Sequence, residues 1–238
     1  MHHPTLLPSL ILFLLPPTGP AQSPTSRPAS RPAATVTRVG GDQTARAVPV
    51  PGGEDGTAWS CGRLRIDTPL PVGYPAPTPP EALELKVYPT VRRAQVRGQG
   101  PTQDGLNGAF WPLFQHIQER RIAMTAPVEV DLRARPAEAP REQWVMAFLY
   151  RERDQGPTGA AGKVDVVDQT PRTVLALGMT ERWDETAVAE ALAELRAWLA
   201  GQSAWQADGA PRLLFYHGPQ TPAARQWWEV QLPVRAAR

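Results

Sequence analysis

Two carboxylates, Glu129 and Asp131, alternate along "RIAMTAPVEVDL", and such a pair is a constellation that acid–base catalysis can use. Strand periodicity argues against that use here. Ile122, Met124, Ala126, Val128, Val130 and Leu132 take the apolar parity, so Glu129 and Asp131 fall on the other and are expected to be solvated. Glu229 occupies the polar parity of a later strand, where a buried ion pair and plain exposure are both open. No Ser sits in a G-x-S-x-G elbow, no two His stand at metal-ligand spacing, and no glycine-rich turn follows a strand to hold phosphate. The chain is therefore not expected to be an enzyme. Binding chemistry has better material in "LNGAFWPLFQHIQERR". It sets Phe110, Trp111, Leu113, Phe114 and Ile117 on one helix, with His116 at the border of the apolar stripe and Arg120 and Arg121 just beyond.

The 238 residues and 42% hydrophobic content allow one domain with a buried core. A formal charge of +2 leaves no concentrated basic face, so nucleic acid is not an expected partner. The single cysteine, Cys61, excludes an intramolecular disulfide, a Cys-rich zinc site and C-x-x-C-H attachment on count; it reads as an inert thiol, with intermolecular pairing or ligation as the alternative. An uncharged apolar run from Leu6 to Leu15, followed by Gly19-Pro20-Ala21, predicts a signal peptide over 1–21 and export to a periplasmic or extracellular compartment. His2 and His3 stand where Lys or Arg is usual and Pro8 interrupts the run, so an uncleaved anchor is the alternative, and it is the one route to a membrane.

Residues 22–56 are rich in Pro, Ala, Ser and Arg without a periodic apolar face, which predicts a disordered linker. Trp59 to Ile66 reads as a short strand or clasp, and "PLPVGYPAPTPP" as an extended lead-in, so the folded domain spans 57–238 with its core over 83–234. "ALELKVYP" and "TVRRAQVR" read as strands around the Tyr88-Pro89 turn, and the helix of the first paragraph follows, with Pro112 kinking it or marking its first turn. "QWVMAFLY" is apolar on both parities and predicts a strand buried on both faces. "RTVLALGM" is a further strand, and "WDETAVAEALAELRAWLAG" a helix capped by Asp184 and ended by Gly201. "RLLFYH" and "QWWEVQLPV" close the chain as strands. The second half repeats the first at an offset of roughly eighty residues, "VYPTVRRAQV" answering "VDQTPRTVLAL" and "MTAPVEVDL" answering "WWEVQLPV". Two such units bury their sheet faces by forming a curved antiparallel sheet or barrel with the helices outside, an α+β fold.

From about Leu83 to Val234 the chain resembles the SOUL/haem-binding protein family. Five pieces carry the resemblance in order: Glu84-Leu85-Lys86-Val87-Tyr88-Pro89, Phe110-x-x-Leu113-Phe114-x-x-Ile117, Met124-Thr125-Ala126-Pro127-Val128, Tyr216-x-x-Pro219, and Glu229-Val230-Gln231-Leu232-Pro233-Val234. The resemblance implies a distorted eight-stranded antiparallel β-barrel with two flanking helices, built from two βαββ repeats. It also implies non-covalent binding of haem or a related tetrapyrrole in a groove formed by the first helix and adjoining loops. Pro127 then belongs at an edge or bulge, where the strand turns its apolar face toward that helix. The sequence departs from the family between Ile117 and Ile122, where Gln118, Glu119, Arg120 and Arg121 replace a longer Gly/Asn-containing loop.

Within that implied groove, Phe110, Leu113, Phe114 and Ile117 would wall the slot together with Met124, and Arg120 and Arg121 would pair with propionates or answer the helix dipole. His116 is the axial-ligand candidate, against the alternative of a core-edge histidine bonded to a neighbour. Met124 and Met146 read as core filler before thioether ligands, and His217 as an exposed residue before an inward one. Rival readings are an effector-type binder of other amphiphilic small molecules on the same fold, a hydrolase built on a cleft carboxylate, and a protein-interaction module with an exposed apolar patch.

Overall fold

The structure, a computed structural model, describes residues 34–100, 102–133 and 143–237. The signal expected over 1–21 and the linker's first part, 22–33, lie outside the described residues. The strands in chain order are β1 (Thr35–Gly41), β2 (Val48–Pro51), β3 (Thr57–Cys61), β4 (Leu64–Ile66), β5 (Ala82–Tyr88) and β6 (Val91–Gln99). Helix α1 (Thr102–Glu119) precedes β7 (Val128–Arg133), β8 (Gln143–Leu149), β9 (Gly159–Ala161), β10 (Val164–Gln169) and β11 (Arg172–Thr180). Helix α2 (Glu185–Ala200) then leads to β12 (Trp205–Ala207), β13 (Arg212–Phe215) and β14 (Trp227–Ala236).

One large antiparallel sheet runs β1-β5-β11-β14-β13-β7-β8-β6-β10-β9, with β12 added on β14, and β2-β3-β4 make a small second sheet. The fold is therefore mixed α+β with two helices, as the periodicities indicate. Pairing among the described residues leaves the path open, where a closed eight-stranded barrel was expected. The reason lies in the edges: β1 occupies the free side of β5 and β9 that of β10, so the strands that closure would join are already paired. The expected linker 22–56 is ordered in its described part for the same reason. β1 finds its hydrogen-bond partners on β5 and β2 finds its own on β3, and backbone pairing of this kind needs no apolar alternation in the added strand.

With β12 set aside, the segments β6-α1-β7-β8 and β11-α2-β13-β14 have the same element order, and each pairs its last strand with the strands that are its first and third elements. They meet where β7 pairs β13, Glu129 opposite Leu214 and Asp131 opposite Arg212. "MTAPVEVDL" contributes the third element of one segment and "WWEVQLPV" the fourth of the other, so those two stretches do not correspond.

Strand parity sorts the sheet into two buried faces. Trp228, Val230, Leu232 and Val234 of β14 join Met146, Phe148, Val130 and Leu213 in a core under both helices, which contribute Ala109, Leu113 and Ile117 from α1 and Val188, Ala191, Leu192 and Leu195 from α2. The opposite parity, including Val174, Ala176, Leu214 and Trp227, packs beneath Leu64, Ile66, Leu70 and Tyr74. The proline-rich stretch 69–80 is thus a strap laid over the second face. Gly178 of β11 makes its seat. A Cβ there would collide with the Pro79 carbonyl, and Glu81 donates its N–H to the Gly178 carbonyl at 2.8 Å.

Helix α1 runs through Pro112 without ending. The carbonyl that Pro112 cannot serve belongs to Gly108, which is exposed and open to water. Its C-terminus closes as a Schellman motif: Ile122 donates to the Ile117 carbonyl at 2.9 Å and Arg121 to that of Gln118 at 3.0 Å, with Arg121 left-handed at φ 54°. The turn after α1 is thus this one αL residue, with Ile117 and Ile122 on either side of it both in the helix-side core. β7 starts at Val128, so Pro127 precedes the ladder instead of interrupting it. Parity changes across it: Ala126 joins the strap-side core and Val130 the helix-side core. In α2, Asp184 accepts from the Ala187 N–H at 2.7 Å, as its N-cap position requires.

If Gly178 seats the strap, Gly178→Ala should destabilise the protein by about 1–3 kcal/mol through overpacking at a contact that cannot relax. Urea unfolding measures this, and a wild-type midpoint would show that the strap is not seated there.

Candidate functional site

Helix α1 distributes the expected binding residues between core and surface. Leu113, Ile117 and His116 are buried against the sheet, His116 with 3% exposure. Its Nε2 lies 2.8 Å from the Tyr150 hydroxyl, and burial followed by the nearby Arg120 holds its pKa below the ordinary value. That is the arrangement of the bonded core-edge histidine. Phe110 and Phe114 remain half-buried, one turn apart, with ring centroids 5.6 Å apart at 19°. Trp111 is 68% exposed and meets both rings edge-on, at 5.9 Å and 6.1 Å. Met124, half-buried, packs on the helix-side core, and Arg120 and Arg121 are exposed at the helix end. Arg120 donates to the His116 carbonyl at 3.5 Å and lies 3.7 Å from Glu119. The result is an aromatic ridge with basic residues at one end.

The other candidate ligands are occupied or buried. Met146 is core. His217 takes the Trp227 N–H on Nδ1 at 3.1 Å, so Nε2 carries the proton that it shares with the Arg65 carbonyl at 2.8 Å. Among the described residues no three His, Cys, Asp or Glu side chains cluster as a metal site, and no helix is long and apolar enough to cross a membrane.

The expectation of solvated carboxylates fails at Glu129, which is 2% exposed. Its parity faces the strap, not water. Glu129 accepts from the Tyr74 hydroxyl at 2.6 Å, Arg212 Nη1 at 2.9 Å and Arg93 Nη1 at 3.0 Å. Asp131 is partly covered and accepts from Arg93 Nη2 at 2.8 Å. Glu229 is also fully buried, the ion-pair branch of its two readings. It accepts from Lys86 at 3.0 Å, Tyr216 at 2.6 Å, Gln231 at 2.6 Å and the backbone N–H of Thr78 at 2.7 Å. Arg212 and Gln231 join the two centres: Arg212 Nε donates to Gln231 Oε1 at 2.7 Å, and its guanidinium lies 4.5 Å from the Tyr88 ring centroid. Lys86 also donates to the Ala76 carbonyl of the strap at 2.7 Å.

Burial alone would raise the Glu129 carboxyl, but Arg212, Arg93 and the Tyr74 hydroxyl outweigh it and hold it at about 2. Glu229 is likewise lowered, Lys86, Tyr216 and the Thr78 N–H overcoming its burial. Burial pushes the Tyr74 and Tyr216 hydroxyls well up, so both stay protonated donors. Tyr74, Lys86, Arg93, Arg212 and Tyr216 escaped the sequence reading of sites. The usable signal was the polar parity of β5, β6, β13 and β14, which puts Lys86, Arg93, Arg212 and Glu229 on the strap-side face of one sheet.

A two-helix, largely antiparallel α+β domain with a ridged first helix defines the class. A family model described as SOUL heme-binding protein matches residues 75–233, and the chain belongs to that family. Its fold is similar to the crystal structure of the EcmrR C-terminal domain, at 15% identity and a TM-score of 0.54, over 65% of this chain and 98% of that one. A hydrolase from Listeria innocua is similar at 14% identity and a TM-score of 0.51, over 67% of this chain and 94% of that one. No curated protein matches this sequence.

Because Glu129 titrates near 2 when folded against 4.5 for the ordinary carboxyl, it stabilises the fold fully above about pH 5 and loses that contribution as pH falls toward about 2. Acid titration of stability should therefore be flatter in Glu129→Gln than in the wild-type protein, and equal slopes would contradict the ion-pair assignment.

Proposed function

We propose that this chain is an exported binding protein, not a catalyst, that holds haem or a related tetrapyrrole non-covalently on the ridge of α1. The observation that carries the reading is the stacked, half-buried Phe110–Phe114 pair at the surface, flanked by exposed Trp111. Haem would supply a flat apolar macrocycle bearing propionates, and the residues present suit such a group. The rings offer stacking area, and Arg120 and Arg121 offer guanidiniums to carboxylates at one end. Family membership supports the ligand class. The leader sequence supports export, either cleaved after Ala21 or kept as an anchor. The like order of the two βαββ segments supports reading them as copies of one unit, and the strands between β5 and β10 as an opened form of the eight-stranded barrel.

In this reading Leu113 and Ile117 fasten the ridge to the sheet, and His116 does the same through Tyr150, since its Nε2 reaches iron only by giving up that bond. Haemin titration followed by absorbance tests the proposal. Saturable binding is expected, weakened about tenfold by Phe114→Ala through lost stacking. His116→Ala should leave the ferric spectrum unchanged; an altered spectrum would make His116 the axial ligand. Undiminished binding by Phe114→Ala would remove the ridge from the account.

A further inference from the structure

At the ends of β5, β7, β11, β12 and β14 lies an open cleft of about 1010 Å³, which none of the α1 residues line. The size suits a small organic ligand. Arg172, the first residue of β11, is on its wall with only 20% of its side chain exposed. Among the described residues its guanidinium donates no hydrogen bond, and its ion pair with Asp131 Oδ1 is 3.8 Å long, beyond hydrogen-bond reach. This is unlike the other covered guanidiniums. Arg38, Arg92, Arg93 and Arg212 each donate at least two hydrogen bonds. Burying a guanidinium with its donors unspent costs free energy that a ligand can recover. Asp131 leaves it unrecovered: Arg93 holds Oδ2 at 2.8 Å, and Oδ1, buried without a hydrogen-bond partner of its own, stays 3.8 Å from Arg172.

The geometry points to this cleft as a binding site for an amphiphilic monocarboxylate, with the carboxylate on Arg172 and the apolar part along Trp205, Pro171 and Pro233. A planar carboxylate matches the guanidinium fork. A polyanion is disfavoured, because Asp131 and Asp208 line the same cleft and Arg235 is already 3.4 Å from Asp208. Burial and the neighbouring Arg212 press the Arg172 pKa down, the mark of a cation lacking sufficient counter-charge. The inference stands apart from tetrapyrrole binding at α1, since the two sites share no residue.

Isothermal titration of the full chain with 2-naphthoate and its neutral isostere 2-naphthamide tests it. The acid should bind the wild-type protein, and the amide about tenfold or more weaker, the loss expected when a charge-assisted pair is replaced. Arg172→Gln should weaken the acid to the level of the amide, Arg172→Lys should keep part of the affinity, and Phe114→Ala should leave it unchanged. Circular dichroism checks that the variants fold; if Arg172→Gln does not, the acid–amide comparison on the wild-type protein decides alone. No heat with 2-naphthoate, equal binding of acid and amide, or loss of acid binding in Phe114→Ala would each overturn the proposal.

Discussion

Glu129 and Glu229 are carboxylates sealed between a sheet and a strap, and the rest of the architecture answers to them. A charge in such a place is tolerated only with complete pairing, and removal of one partner costs several kcal/mol because the other is left buried and alone. Arg93, Arg212 and Lys86 supply the counter-charges, each from a different strand: β6, β13 and β5. The remaining partners come from the strap, through the Tyr74 hydroxyl and the Thr78 N–H. Such a network need not add net stability over an apolar equivalent. What it imposes is register, since a strap shifted by one residue would present Thr78's N–H to nothing.

That constraint divides the molecule. Most of the pieces that mark the family end in the charged layer: Lys86 and Tyr88 from the first, Tyr216 from the fourth, Glu229 and Gln231 from the last. The motifs therefore describe how the second face is held shut. The α1 piece is the one that brings aromatic side chains to the surface, and even there Leu113 and Ile117 serve the core. What stays uncovered is the ridge of Phe110, Trp111 and Phe114, where two aromatic rings are half in water because no element of the described chain covers them fully.

Periodicity read from the sequence located most elements, since strands of alternating parity and the Asp184-capped helix carry their own signals. β14 shows the strength of that reading: Trp228, Val230 and Leu232 point one way and Trp227, Glu229 and Gln231 the other, as alternation requires. It also shows the limit. Alternation sorts residues onto two faces but does not say whether the second face meets water, and for Glu129 it meets the strap. The strap was legible only as an extended stretch around Tyr74, because several of the contacts that seat it are made by backbone, the Thr78 N–H and the Ala76 and Pro79 carbonyls, which leave no mark in residue type. β1 was hidden in the same way, as a polar strand ordered by pairing with β5. His116 sat at the border of its helix's stripe, and only the position of Tyr150, from a distant strand end, decided how its nitrogen is used.

In the proposed function the ridge of α1 recognises the ligand and the charged layer beneath the strap only holds the fold. Amide chemical-shift mapping of the full chain during haemin addition separates the two most directly. Broadening or shifts confined to Phe110, Trp111, Phe114, Met124 and the arginines at 120 and 121, with Tyr74, Thr78, Glu129 and Glu229 unmoved, is the predicted result. Perturbation centred on Thr78, Glu129 and Glu229 would mean that the strap lifts to admit the ligand, and would contradict it.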